Sequence, residues 1–385
     1  DHCGIVPVPE KDLPVLLPLE VAFKPSGESP LKNTREFLHC NCPRCGRKGT
    51  RETDTMDTFV DSSWYFLRYC DAKNDRECFD KSRADYWMNV DQYIGGVEHA
   101  ILHLMYARFF MKVLFDLGLT SYDEPFQNLL TQGMVLKDGG KMSKSKGNVV
   151  SPEDIISHYG ADTARLFILF AAPPERDLEW SDQGVEGCFR FLNRVWRLVH
   201  SYHAILANVK SRDQAVSDPD RELRRAIHKA VKKVTEDIEL RFNFNTAISA
   251  IMELVNTFYH YRDEVSIRDQ NLGLVKSGLE KMALLMAPFA PHMAEELWEA
   301  LGHQRSVHQE NWPVYGAEAL EREEVTVVIQ INGKVRDRMT VPKDLNNEEL
   351  KGLVLEEPKV LSHLANKDVV KVVVVPNKLV NLVVK

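Results

Sequence analysis

The sequence predicts a mixed α/β fold: an α/β domain, then an all-helical bundle, then a small α+β module. Three observations predict it. Strand-like and helix-like stretches alternate between residues 57 and 172, and apolar residues recur at helical spacing from about 183 to 313. Past residue 322, four β-branched runs surround one helical stretch. At about 150 residues per domain, a chain of 385 residues has room for two or three such units.

Residues 1–56 are rich in proline with short apolar runs, which reads as a β-rich connector. It ends at Cys40-Asn41-Cys42-Pro43-Arg44-Cys45-Gly46. A Cys-x-x-Cys pair followed by glycine is half of a zinc ribbon, because thiolates at that spacing reach one tetrahedral ion and glycine permits the knuckle. Cys3 offers a third ligand beside Cys42 and Cys45, a fourth would precede Asp1, and Cys40 is a substitute. Reduced thiols without metal are the alternative. Seven cysteines in this length do not make a disulfide scaffold.

Residues 57–182 form the α/β part. The stretch 97–117 has apolar residues at helical spacing without proline and predicts one long helix; 127–136 predicts a buried strand. Ser151-Pro152-Glu153-Asp154 is a helix start, with a capping hydroxyl, proline in the first turn and early carboxylates. Residues 183–313 read as a bundle whose longest patterns cover 245–260 and 278–300. In the module 322–385, Asn332-Gly333 signals a hairpin between strands 325–331 and 334–341. A helix over 347–364 and strands over 369–375 and 379–384 complete it.

Composition excludes several classes. Hydrophobic content of 44% and charged content of 27% are those of a globular protein, not a disordered or fibrous one. No run reaches the ~18 apolar residues of a membrane helix. Asp1-His2-Cys3 opens no signal peptide, and the expected location is cytoplasmic. Forty-nine basic against 56 acidic residues give a net charge of −7, so any nucleic-acid surface must be local.

The most specific string is Gly139-Gly140-Lys141-Met142-Ser143-Lys144-Ser145-Lys146-Gly147-Asn148. Three lysines and two small hydroxyls between glycines suit a mobile loop that closes on a polyphosphate. A solvated basic loop is the plainer reading, though no acid stands between Lys141 and Asn148. The string resembles the Lys-Met-Ser-Lys-Ser signature of class I aminoacyl-tRNA synthetases. Four further stretches resemble the leucyl branch of that family. They are Thr53 to Tyr65 with Arg68-Tyr69, Tyr93-Ile94-Gly95-Gly96-Val97-Glu98-His99-Ala100, Gln132-Gly133-Met134-Val135-Leu136 and Tyr159-Gly160-Ala161-Asp162-Thr163-Ala164-Arg165. Phe244-Asn245-Thr246-Ala247-Ile248 and Val380-Asn381-Leu382-Val383-Val384 fit as well.

The resemblance covers the whole chain and is to the bacterial type of leucyl-tRNA synthetase. It implies the second half of a class I Rossmann catalytic domain (57–182), a helical anticodon-binding domain (183–313) and a tRNA-binding module (322–385). It implies leucine–tRNA ligase activity with ATP and Mg2+, and leucine and tRNA(Leu) as partners; the structural Zn2+ rests on the cysteine spacing above. Lys141 and Lys144 would act on the leaving pyrophosphate. Gly95, Gly96, Glu98, His99, His103, Met134, Val135, Met142 and Ser143 would bind ATP or the adenylate, and Phe59, Ser62 and Tyr65 would line the leucine pocket.

Read from the residues alone, His99 and His103 share a helix face at i and i+4, a spacing that also suits a metal pair or two satisfied core histidines. Asp54, Asp57 and Asp61 suit polar turns and are assigned no acid–base role. Arg190, Arg194 and Arg197 fall on one helix face; Arg224, Arg225, Lys232 and Lys233 crowd a second helix; Lys334, Arg336 and Arg338 alternate along a strand and so share one face. All three stretches are candidate tRNA surfaces. The family's His-Ile-Gly-His signature and its editing domain have no counterpart here. The expectation is therefore a C-terminal portion that needs the N-terminal half, as a missing segment or a separate subunit. A non-catalytic tRNA-binding protein of the same ancestry is the rival reading.

Overall fold

Proline and glycine set most boundaries in the computed structural model, which describes residues 2–21, 27–321, 324–343, 345–364 and 367–385, the side chains of Lys144 and Glu324 excepted. By its internal contacts the chain divides into two units, Asp1–Gln132 and Gly133–Lys385.

In the first unit, α1 (Arg35–Leu38) leads into a short antiparallel hairpin, β1 (His39–Asn41) and β2 (Lys48–Thr50). These are the only strands among the described residues up to 56, so the connector is mostly irregular rather than β-rich. Then follow α2 (Thr58–Ser62), α3 (Tyr65–Cys70), α4 (Lys81–Trp87), β3 (Tyr93–Gly96), α5 (His103–Asp116) and β4 (Leu129–Gln132). β3 and β4 run parallel, in register from Tyr93↔Leu129 to Gly96↔Gln132. Phe66, Leu67, Phe79, Met88, Ala107, Met111 and Leu114 form the core between α3, α4 and α5. The long helix expected over 97–117 begins only at His103. Val97–His99 is a 3-10 turn, and Leu102 sits at φ −86, ψ −93, outside the helical region. Parallel pairing keeps the backbone extended through Gly96, so the chain must turn before it can wind, and apolar spacing does not register that turn.

The strand expected over 127–136 is also interrupted. β4 ends at Gln132, and β5 (Val135–Lys137) belongs to the second unit, in a three-stranded sheet of order β6-β5-β7 with β6 (Gly140–Lys141) and β7 (Leu178–Glu179). A Cβ at Gly133 would run into the Arg176 carbonyl, so only glycine fits that crossing. α6 (Pro152–Tyr159) and α7 (Ala161–Ala171) are joined at Gly160, whose φ of 84° breaks the helix between them.

The bundle comprises α8 (Asp182–Leu206), α9 (Asp218–Arg241), α10 (Phe244–Glu264), α11 (Leu272–Met286) and α12 (Pro291–Ala300). Its core contains Leu198, Tyr202, Ile227, Val231, Ile251, Phe258, Leu279 and Met282, each worth about 1.5–3 kcal/mol of apolar burial if fully enclosed. The helix expected over 278–300 is two helices, because Pro288 and Pro291 interrupt it. α7 joins the bundle directly. The buried Asp162 carboxylate accepts the first amides of α12 from His292 (3.4 Å) and Met293 (2.6 Å), and Arg165 donates to the Pro288 carbonyl at 3.1 Å.

The final module has β8 (Glu324–Ile331), β9 (Lys334–Pro342), α13 (Asn347–Glu356), α14 (Pro358–Leu364), β10 (Val369–Val375) and β11 (Leu379–Val384), in sheet order β10-β11-β8-β9. The β8–β9 turn is the expected Asn332-Gly333, both left-handed at φ 47° and 75°. Pro358 divides the single helix expected over 347–364. A β-bulge shifts the register so that Ile329 faces Asp337 while Gln330 faces Val335. Lys334 then aligns with inward-facing Ile331, and Arg338 with outward-facing Val328, so Lys334, Arg336 and Arg338 do not share one strand face.

Candidate functional site

The first unit holds an open cleft of about 390 Å³. Asp57 caps α2 by accepting the Phe59 amide at 2.8 Å, and this short helix presents Phe59 and Ser62; α3 presents Tyr65. Tyr93, Gly95 and Gly96 of β3, with His99 and His103, close the other side. Phe59 stacks on Tyr106 with centroids 6.4 Å apart and meets His99 edge-on. The three residues expected to form an apolar pocket thus converge with the glycines and histidines expected near the nucleotide.

A hydrogen-bond chain joins three of the residues that line the cleft. The Tyr65 and Tyr93 hydroxyls are 2.7 Å apart, and the Tyr93 hydroxyl lies 2.6 Å from His103 Nε2. Tyr93 stacks on Phe126 at 3.8 Å, which fixes its ring. Burial, and then the neighbouring His99, lower the His103 pKa, so the ring is neutral near pH 7. Burial, then the bond from Tyr65, raise that of Tyr93. His103 is 8% exposed, and its Nδ1 has no partner among the described residues. Tyr93 was not singled out from the sequence, although it opens the motif Tyr93-Ile94-Gly95-Gly96. Glu98 is exposed, and its carboxylate lies so close to Gly96 that a Cβ there would overlap it. Arg68 is structural: its guanidinium donates to the carbonyls of Ala72 (3.0 Å), Asn74 (2.8 Å) and Cys78 (2.9 Å), closing the loop before α4.

In the second unit the signature string is a hairpin and a return. β5 and β6 pair at Leu136↔Lys141 and Lys137↔Gly140 around left-handed Asp138 and Gly139. The Gly139 amide donates to Glu179 at 3.1 Å. Lys144–Lys146 is a 3-10 turn, and Gly147 at φ 67° reverses the chain. Lys141 and Lys146 are exposed; the side chain of Lys144 lies outside the described residues. Met142 and Ser143 are half-buried. The Met134 amide donates to Asp177 at 2.7 Å and its carbonyl accepts from Leu178 at 2.8 Å, so that amide is already engaged; Val135 is 42% exposed.

Cys3, Cys42 and Cys45 present sulfurs that all lie within 4.8 Å of one another, and Cys40 is not among them. The knuckle forms because Gly46, at φ 73°, donates its amide to the Cys42 carbonyl at 2.8 Å. Hydrogen bonding with Cys45, then desolvation, push the Cys3 thiol up to about 11, whereas the backbone amides of Cys45 and Arg44 lower Cys42. Thiols crowded into shared protons are what a divalent ion relieves, and three sulfurs fit three positions of a tetrahedral zinc.

The basic stretches are more neutralised than their order implies. Arg190 and Arg197 are exposed on α8, but Arg194 donates to Asn256 at 2.7 Å and lies over the Tyr259 ring at 4.5 Å. On α9, Arg224 is held between Asp213 (3.2 Å) and Glu318 (2.9 Å), Lys232 faces Glu236 (3.8 Å) and Lys233 binds buried Asp237 (2.6 Å). Arg225 makes no ion pair among the described residues. These acids come from flanking turns and following positions, which a count along 221–233 passes over. Among the described residues, no helix is long and apolar enough to cross a membrane.

Comparison with known proteins agrees with this geometry. Residues 33–181 match tRNA synthetases class I (I, L, M and V), and residues 220–351 match the anticodon-binding domain of tRNA ligase. The structure is similar to a LeuRS of Agrobacterium radiobacter K84, solved in a ternary complex with tRNA and LeuAMS, with a TM-score of 0.79 and 40% sequence identity. The similarity covers 100% of this chain and 48% of that one, so the chain spans about half the length of this relative. With an α/β catalytic portion, a helical anticodon-binding domain and a small C-terminal sheet in that order, the chain belongs to the class I tRNA synthetases of the I, L, M and V group.

Proposed function

We propose that the chain is part of a leucine–tRNA ligase. The observation that carries this reading is the cleft that gathers Phe59, Ser62 and Tyr65 with Tyr93 and His103. An isobutyl group needs such a shaped, largely apolar wall, and contacts of this kind discriminate by about 1–3 kcal/mol per methylene. Leucine's carboxylate attacks the α-phosphate of ATP, giving leucyl-adenylate and pyrophosphate; a ribose hydroxyl at the 3′ end of tRNA(Leu) then takes the leucyl group and releases AMP. Glu98 serves the ribose, and His99, Met134, Val135, Met142 and Ser143 the rest of the adenylate. Lys141 and Lys144 stabilise charge on the pyrophosphate, which is electrostatic catalysis without a covalent enzyme intermediate. Mg2+ accompanies ATP, and Cys3, Cys42 and Cys45 hold a structural Zn2+. The domain division 1–56, 57–182, 183–313 and 322–385 belongs to the same reading.

A second set of observations supports the need for the other half of the catalytic fold. Among the described residues β3 and β4 pair only with each other, whereas parallel sheets are normally wider and covered on both faces. Met105, Phe109 and Leu117 on or just past α5 are each more than 60% exposed, and so is Ile101 before it (62%, 67%, 67% and 73%). Strands and a helix from the N-terminal half, in the same chain or in a partner subunit, would cover them. The test is leucylation of tRNA(Leu) by the complete enzyme. Lys144→Ala is expected to lower kcat by about 100-fold or more while changing the leucine KM little; charging with an amino acid other than leucine would sink the assignment.

A further inference from the structure

Asn148 is the last residue of the signature string, and the reading above gives it no role. It is half-buried, and its carboxamide touches the loop at three separate places. Nδ2 donates to the Lys137 carbonyl at the end of β5 (3.2 Å) and to the Lys141 carbonyl at the end of β6 (3.4 Å), while Oδ1 accepts the Ser143 amide at 2.9 Å. Gly147 makes this reach possible, since its left-handed backbone turns residue 148 back over the hairpin. Among the described residues, the loop's other internal ties are the Lys146 amide on Ser143 and the contact between the Ser143 and Ser145 hydroxyls.

We propose that Asn148 is a positioning residue: it latches residues 141–147 so that the loop's cationic groups await a polyphosphate in one conformation. This rests on the reading of the loop as a polyphosphate binder. The chemistry of the latch demands a primary amide of this length, because two acceptors and one donor must be met by one group. Aspartate keeps the bond from Ser143 but turns the donor edge into an acceptor facing two carbonyls. Alanine removes all three bonds. In either variant the loop samples more conformations, and the ordering that the latch supplied in advance must be supplied by the ligand.

The test needs no turnover. The 385-residue chain, Asn148→Asp and Asn148→Ala are treated with trypsin, and cleavage within 141–147 is compared with cleavage elsewhere by mass spectrometry. Inorganic tripolyphosphate is titrated as the probe. Both variants are expected to be cut in the loop roughly tenfold faster, as loss of hydrogen bonds of ordinary strength implies, with other sites unchanged. Half-protection should need several-fold more tripolyphosphate in both. Equal loop cleavage in all three proteins overturns the latch, as does a rise spread evenly over the chain, which would make Asn148 a general stabiliser. Faster loop cleavage in the variants with no protection of any form by tripolyphosphate supports the latch and overturns instead the polyphosphate reading beneath it.

Discussion

The Tyr93 hydroxyl lies within hydrogen-bond distance of both Tyr65 and His103. Tyr93→Phe strands His103 Nε2 in a buried site, a cost of about 1–3 kcal/mol, and frees the ring that borders the cleft. Thermal denaturation should show that loss, and the complete enzyme's leucine KM should rise; unchanged stability and KM would remove the chain of hydroxyls from the account. A second residue sets a pH dependence. Burial raises the Asp213 pKa, but the bond from His228 and the charges of Lys281 and Arg224 more than offset this and hold it below the ordinary range. A depressed folded-state pKa gives stability that is complete above the unfolded value, near 3.9, and is lost as pH falls through the folded value. Asp213→Asn should therefore lower stability at pH 7 and flatten its decline below about pH 4. Urea unfolding at both ends of that range measures it, and parallel pH profiles for the two proteins would contradict it.

At the scale of elements, local signals were legible and tertiary ones were not. Pro152 at the start of α6, Asn332-Gly333 and the Cys-x-x-Cys-Gly knuckle act within a few residues, so the sequence shows them, although the Ser151 hydroxyl expected to cap α6 makes no capping bond among the described residues. The break before His103, the end of β4 at Gly133 and the bulge in β9 depend on what each segment meets in space. The same limit applied to charge, because the acids that neutralise α9 come from Asp213, Glu318 and later turns of the helix. Two predictions belong here. Replacing Arg190, Arg197 and Arg225 by alanine should weaken tRNA(Leu) binding and reduce its salt dependence by about three counterions, while Arg224→Ala should chiefly lower stability. Filter binding across salt concentrations decides; an equal effect of Arg224→Ala on the slope would contradict the assignment of its ion pairs. Cys42→Ser or Cys45→Ser should abolish zinc in elemental analysis of the complete protein, and a wild-type protein without zinc would sink the metal site.

For the molecule as a whole, short strings carried the family and the order of its parts, since chemistry fixes their residues directly. Tyr93, Asn148 and Asp162 stood inside those strings without an assigned task, because their hydrogen-bond partners lie from 5 to 131 residues away. The central claim is that this chain supplies one part of a divided activating site. On the proposed reading, activation develops charge on the α-phosphate and on pyrophosphate together, and Lys141 and Lys144 would serve only the second; removing one preorganised donor already costs about 3 kcal/mol. The most direct measurement is leucine-dependent ATP–pyrophosphate exchange by the purified 385-residue chain, alone and with the N-terminal half of a leucyl-tRNA synthetase restored in cis or added as a subunit. The account predicts no exchange from the chain alone, exchange on restoration, and its loss again with Lys144→Ala. Robust exchange by the chain alone, or none after restoration, would contradict it.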